Sequence, residues 1–121
     1  MKKKDIATDF LEIASSGKVR EAYEKHILPD FFHHNAYYKG DRETFLIGME
    51  KNAKQFPNKK YETLRALEDG NLVAIHGKVT LAPDKIFSVI HIFRFEGDKI
   101  AEEWEASQEA LKDSPNENGI F

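Results

Sequence analysis

A chain of 121 residues can bury one substantial core and not two, so a single domain over residues 1–121 is expected. Its 18 basic and 21 acidic residues leave a net charge of -3, without the cationic excess that nucleic acid or an anionic membrane surface selects. The absence of cysteine excludes a disulfide framework, thiolate catalysis and cysteine-ligated zinc, which leaves histidine, carboxylate, tyrosine and amide groups to carry any chemistry.

Lys2-Lys3-Lys4 precedes a polar, acidic segment instead of an apolar one, so no signal peptide is expected; no apolar run approaches the length of a membrane span, and a cytoplasmic location is the default. From Asp5 to Ser16 the stripe Ile6, Phe10, Ile13 and Ala14 predicts a helix, with Gly17 as its C-terminal stop. Val19, Ala22, Tyr23 and Ile27 continue the helical period in a short second helix that must end by Pro29. Asp30 to Gly40 is too aromatic for an idle loop and too irregular for a helix, and reads as a short strand followed by a pocket-rim loop. Asp41 can cap a third helix to about Phe56, with Phe45, Met49, Ala53 and Phe56 at helical spacing and Pro57 closing it.

After Pro57 the period changes to two. Tyr61 to Glu68 and Leu72 to Leu81 are separated by Asp69-Gly70-Asn71, and Ile86 to Phe95 and Ile100 to Gln108 flank Gly97-Asp98, giving four consecutive antiparallel strands. Glu96 should then face Lys99, and an uninterrupted ladder sets His91 opposite Trp104. Phe87, Val89, His91, Phe93 and Phe95 would share a face with Ile100, Glu102, Trp104, Ala106 and Gln108. A symmetric Ala82 to Lys85 loop would bring His76 across from His91 on that same face. Apolar walls with a few placed polar groups are the composition of a ligand pocket. A bulge in either loop would shift this register, since a slip of one residue moves every side chain to the other face. Ile90 and Ile92 beside Ser88, Arg94, Glu103, Glu105 and Ser107 suit a subunit interface on the outer face, with a homodimer as the expected assembly.

The residues His34-Asn35, Gly40-Asp41, Val89 to Phe95, Gly97 to Ile100, Glu102 to Glu105, Gln108 and Ser114 to Phe121 resemble the SnoaL-like polyketide-cyclase group of the nuclear transport factor 2-like superfamily. The resemblance covers nearly the whole chain. It implies an α+β fold, a cone-shaped α+β barrel in which three N-terminal helices pack on a curved, mainly antiparallel sheet around one apolar pocket, commonly as a dimer. Enzymes of that group cyclise polyketides, and relatives isomerise ketosteroids or hydrolyse epoxides, while other members of the fold are scaffolds.

Where the cyclases carry an acid/base aspartate in Val-Asp-Ile-Phe-Arg, this chain has His91, whose imidazole needs little tuning to exchange protons at neutral pH, near ~6.5. The resemblance thus implies His91 as base, with Glu102 or His76 holding its tautomer. His34 and Asn35 match a His-Asn-Pro phrase except for Ala36, and Glu102, Trp104 and Gln108 match Glu-x-Trp-x-x-x-Gln. Asn35, Tyr37 or Gln108 would donate to an enolate oxygen, and His34, Phe93 and Trp104 would contact the ligand. Each has a plainer reading: His91 and His76 as hydrogen-bonded wall residues, Glu102 as partner of Lys78 or Arg65, Tyr37 as part of the rim. No short His pair or Gly-rich dinucleotide phrase points to a metal or cofactor, and none is expected. The expected ligand is a small, carbonyl-bearing apolar molecule, with nucleic acid and membrane excluded as partners. The expected chemistry is proton transfer beside that carbonyl, with a non-catalytic binding module or an interaction scaffold as the alternatives.

Overall fold

The computed structural model describes residues 1–121. Three helices, α1 (Lys3–Ser15), α2 (Val19–His26) and α3 (Arg42–Gln55), accompany five strands: β1 (Ile27–His34), β2 (Lys60–Asp69), β3 (Leu72–Ala82), β4 (Lys85–Glu96) and β5 (Lys99–Glu109). They form one mixed sheet in the order β1-β5-β4-β3-β2, antiparallel except for the parallel pairing of β1 with β5. The helices cover one face, which is the expected α+β architecture, and the sheet does not close on itself.

Local chemistry explains the element boundaries. Gly17 takes φ +98°, the left-handed conformation that ends α1, and Asp41 caps α3 by accepting from the Thr44 amide at 3.0 Å. Asp9 of α1 accepts from His26 at 2.7 Å and Lys25 at 3.0 Å, fixing α2 against it. Pro29 falls where the β1–β5 ladder is interrupted between Ile27 and Phe32, as a residue without an N–H must. Phe10, Leu11, Tyr23, Phe45, Ile75 and Phe93 belong to one buried cluster joining helices to sheet.

Both hairpins start in the expected register and then leave it. Glu96 faces Lys99 and Phe95 faces Ile100, but Ala101 is an extra residue, so Arg94 pairs with Glu102, Ile92 with Trp104 and His91 with Glu105. Ala82 faces Lys85, then Leu81 is extra, so His76 pairs with Ile90 and Ile75 with His91. Each bulge adds one residue to one strand and turns over everything beyond it, while bending the sheet about the helices. The expected row of His76, His91 and Trp104 is therefore replaced by Ile75, His91 and Glu105. Phe87, Val89, His91, Phe93 and Phe95 keep the helix-side face, joined there by Glu103 and Glu105; Glu102, Trp104, Gln108 and His76 turn to the outer face.

Candidate active site

A cavity of about 550 Å³ lies between α1, α3 and the sheet, with Asn35 to Tyr38 along its rim. Phe10, Leu11, Met49, Val79, Phe87 and Val89 are among its apolar walls. One polar cluster breaks that lining. His91 Nδ1 donates to Glu103 Oε1 at 3.0 Å, and Glu105 Oε1 lies 3.9 Å from the same nitrogen. Glu105 Oε2 accepts from Asn35 Nδ2 at 2.6 Å, and Asn35 Oδ1 in turn accepts from the Tyr37 amide at 2.8 Å, so a tight turn at the rim holds the second carboxylate. The His91 ring stacks on Phe93 at 5.7 Å between centroids.

This pairing sets the proton balance. Burial alone would lower the His91 pKa, but the hydrogen bond to Glu103, its charge and that of Glu105 outweigh burial and hold the imidazole above its ordinary value. Glu103 is 2 % exposed, and burial pushes its carboxyl up despite the histidine. Both shifts let the native state keep a proton that the separated groups would release. With Nδ1 committed to Glu103, the neutral ring carries its basic lone pair on Nε2, which has no protein partner. His91, Glu103 and Glu105 also bring three donor atoms within 4.8 Å of one another, the spacing a cation needs, although the His91–Glu103 hydrogen bond occupies Nδ1.

Several residues expected here lie elsewhere. Glu102 is on the outer face, where its carboxylate accepts from Arg94 Nε at 2.8 Å and meets His34 Nε2 at 2.8 Å. Burial would raise its pKa, yet Arg94 and His34 together lower it. His34 stacks on Trp104 at 5.1 Å on that same face. His76 accepts from Arg65 Nη1 at 2.6 Å and meets Ser88 Oγ at 2.8 Å, so it cannot orient His91. Gln108 is exposed and pairs with Ser88. The inward member of the histidine pair is His33, stacked on Phe45 at 3.9 Å with neither ring nitrogen hydrogen-bonded; burial lowers its pKa. Asn35 and Tyr37 do reach the cavity, and Phe93 lies fully buried beneath His91.

Glu103 and Glu105 escaped sequence reasoning because the acidic phrase Glu102-Glu103-Trp104-Glu105 offers a carboxylate to His91 in either phase, and only the bulge selects which. Two cavity groups had no sequence signal. Tyr61 accepts from Thr63 Oγ1 at 3.0 Å, retains its own proton to donate, and is kept phenolic by burial. Lys59 donates to Asn52 Oδ1 at 2.9 Å. Glu102→Gln is expected to weaken the outer-face contacts to Arg94 and His34 while leaving ligand binding in the cavity unchanged, whereas Glu105→Gln changes it; ligand titration of both variants checks the assignment of faces.

No family model and no curated protein matches the chain. Solved structures do. IdmH, a proposed polyketide cyclase from Streptomyces antibioticus, aligns over 89% of this chain and 93% of its own, with 20% identity and TM-score 0.75. An uncharacterised cystatin-fold protein from Novosphingobium aromaticivorans aligns over 88% and 98%, with 20% identity and TM-score 0.76. A nuclear transport factor 2-like protein of unknown function from Cytophaga hutchinsonii aligns over 89% and 91%, with 16% identity and TM-score 0.73. This chain therefore has the nuclear transport factor 2-like, cystatin-type fold to which its sequence resemblance points.

Proposed function

We propose that the cavity binds a small apolar carbonyl compound and that His91 removes a proton from the carbon beside the carbonyl, the opening step of an aldol-type cyclisation, condensation or isomerisation. The observation that carries this reading is the His91–Glu103 hydrogen bond, buried at the wall of an apolar cavity and leaving Nε2 unpartnered. Glu103 fixes the tautomer and stabilises the imidazolium that forms. Tyr61 donates to the developing enolate oxygen, and the aromatic walls exclude water. The name of IdmH, a proposed polyketide cyclase, supports the same class of chemistry. The test is exchange of carbon-bound hydrogen beside the carbonyl in D2O, followed by NMR over a panel of apolar ketones. Enzyme-dependent exchange in a bound ketone is expected. Ketones that bind and return without deuterium would leave only a binding module.

We further propose a homodimer through the outer sheet face. Phe32, Leu72, Ile90 and Ile92 are 37 to 44 % exposed there, beside the paired charges of Arg94 and Glu102. A two-fold contact needs such a self-complementary patch, apolar and carrying both signs. Ile90→Asp is expected to yield monomer by analytical ultracentrifugation where the wild type sediments as a dimer; a monomeric wild type would refute the proposal. No helix is long and apolar enough to cross a membrane.

A further inference from the structure

Lys59 is an unusual residue for an apolar cavity. It ends the turn between α3 and β2, where its amide donates to the Phe56 carbonyl at 3.1 Å, so its backbone is fixed at the cavity wall. Its ammonium has three donors and uses one, on the neutral side-chain amide of Asn52. In a chain with 21 acidic residues, no carboxylate forms an ion pair with it. Burial lowers its pKa, the mark of a cation whose lost hydration has not been replaced, and the charge of Glu105 offsets this only in part.

The sheet spaces the Lys59 backbone away from that of His91. Lys59 adjoins the start of β2, whose Lys60 pairs with Thr80 of β3, itself opposite Ile86 of β4; His91 lies further along that same β4 strand. Two strand spacings of about 4.8 Å put roughly 10 Å across the sheet between their main chains, before the offset along the strands is added. The two polar poles are also opposite in demand. At His91 the Glu103 and Glu105 carboxylates repel an anion and tolerate a neutral carbonyl, whereas Lys59 and Asn52 offer only donors and a neutral oxygen to whatever reaches them.

We infer that the ligand is an apolar oxo acid whose carboxylate is received by Lys59, several carbon–carbon bonds from the carbonyl presented to His91. The inference rests on the carbonyl-binding reading above and narrows its substrate class: a two-pole ligand enters in one orientation, and the length of chain between its carbonyl and its carboxylate sets whether both poles are engaged. Asn52 is a positioning residue, holding the Lys59 ammonium by its Oδ1.

The experiment is calorimetric binding of aryl ketones bearing a terminal carboxylate three to six methylenes from the carbonyl, each compared with its methyl ester. In the wild type the best acid is expected to bind about tenfold more tightly than its ester, the worth of one charge-assisted contact. Lys59→Met should erase that preference by weakening the acid and not the ester, and Lys59→Arg should retain most of it. Lys59→Gln, which keeps length and a polar tip, serves as the second neutral variant. Acids that bind no better than esters, or a preference that survives both neutral variants, overturn the inference. His91→Gln separates it from the catalytic reading: deuterium exchange would be lost while the acid-over-ester preference stays.

Discussion

His91→Gln is expected to reduce deuterium exchange in a bound ketone by about 10²- to 10⁴-fold, the range that one positioned general base contributes, with binding little changed. Glutamine keeps a polar side chain of similar reach and can still meet Glu103, so the loss isolates the proton-accepting nitrogen. The wild-type rate should rise with pH as His91 loses its proton, with a midpoint above the ordinary imidazole value near ~6.5, because Glu103 holds that proton. Glu103→Gln should move the midpoint down, since burial then acts on the imidazole with less opposing charge. Stability runs the other way. A raised histidine pKa contributes stability that is fully present below about pH 6.5 and is lost as pH rises through the folded value. Glu103, also raised by burial, acts in the same direction because the native state holds the extra proton. His91→Gln should therefore flatten the fall in stability on the alkaline side, read by urea denaturation at several pH values. A rate profile with its midpoint below the ordinary imidazole value would assign the base to another group.

Phe93→Ala is expected to be the most destabilising single substitution near the site, costing about 3–5 kcal/mol. Phe93 is completely buried, packs edge-on against Phe10 of α1 at 6.0 Å between centroids, and supports the His91 ring from below. Its removal opens a void where α1 meets the centre of the sheet, which the rigid strand cannot collapse to fill. Against a total of about 5–15 kcal/mol for a domain, that is roughly a fifth or more of the margin. Chemical denaturation measures it directly, and a loss under about 1 kcal/mol would show that the helix layer repacks.

The sequence states its helices and strands plainly because hydrophobic period, caps and breakers agree. Asp41 precedes a helix that it does cap, Gly17 and Pro57 lie at stops, and the change to period two after Pro57 coincides with β2. It also states the β4 side of the site, since alternation along one uninterrupted strand puts His91 between Val89 and Phe93 on the helix face. What it leaves unstated is phase between strands. Ala101 and Leu81 are small or apolar residues with no turn chemistry, yet each inserts the extra position that exchanges Glu102 and Trp104 for Glu103 and Glu105, and His76 for Ile75. The parallel pairing of β1 with β5 was equally hidden: it depends on a contact about 70 residues apart in the chain, and it is what brings Asn35 to Glu105. Lys59 lay in a turn whose direction no periodicity encodes.

The extra residue at Ala101 makes β5 a strand with two possible inventories. In the phase it adopts, two carboxylates face the cavity, and an indole, an amide and a third carboxylate face outward. Taking Ala101 into the ladder without a bulge would place Trp104 against His91 and send both cavity carboxylates to the outer face, whereas deleting it would leave Glu105 against His91 and Trp104 against Ile92. The composition of the cavity wall is thus stored in the register of one ladder as much as in its side chains, so a slip of one position would exchange a wall bearing two carboxylates for an aromatic one while every amino acid stayed the same.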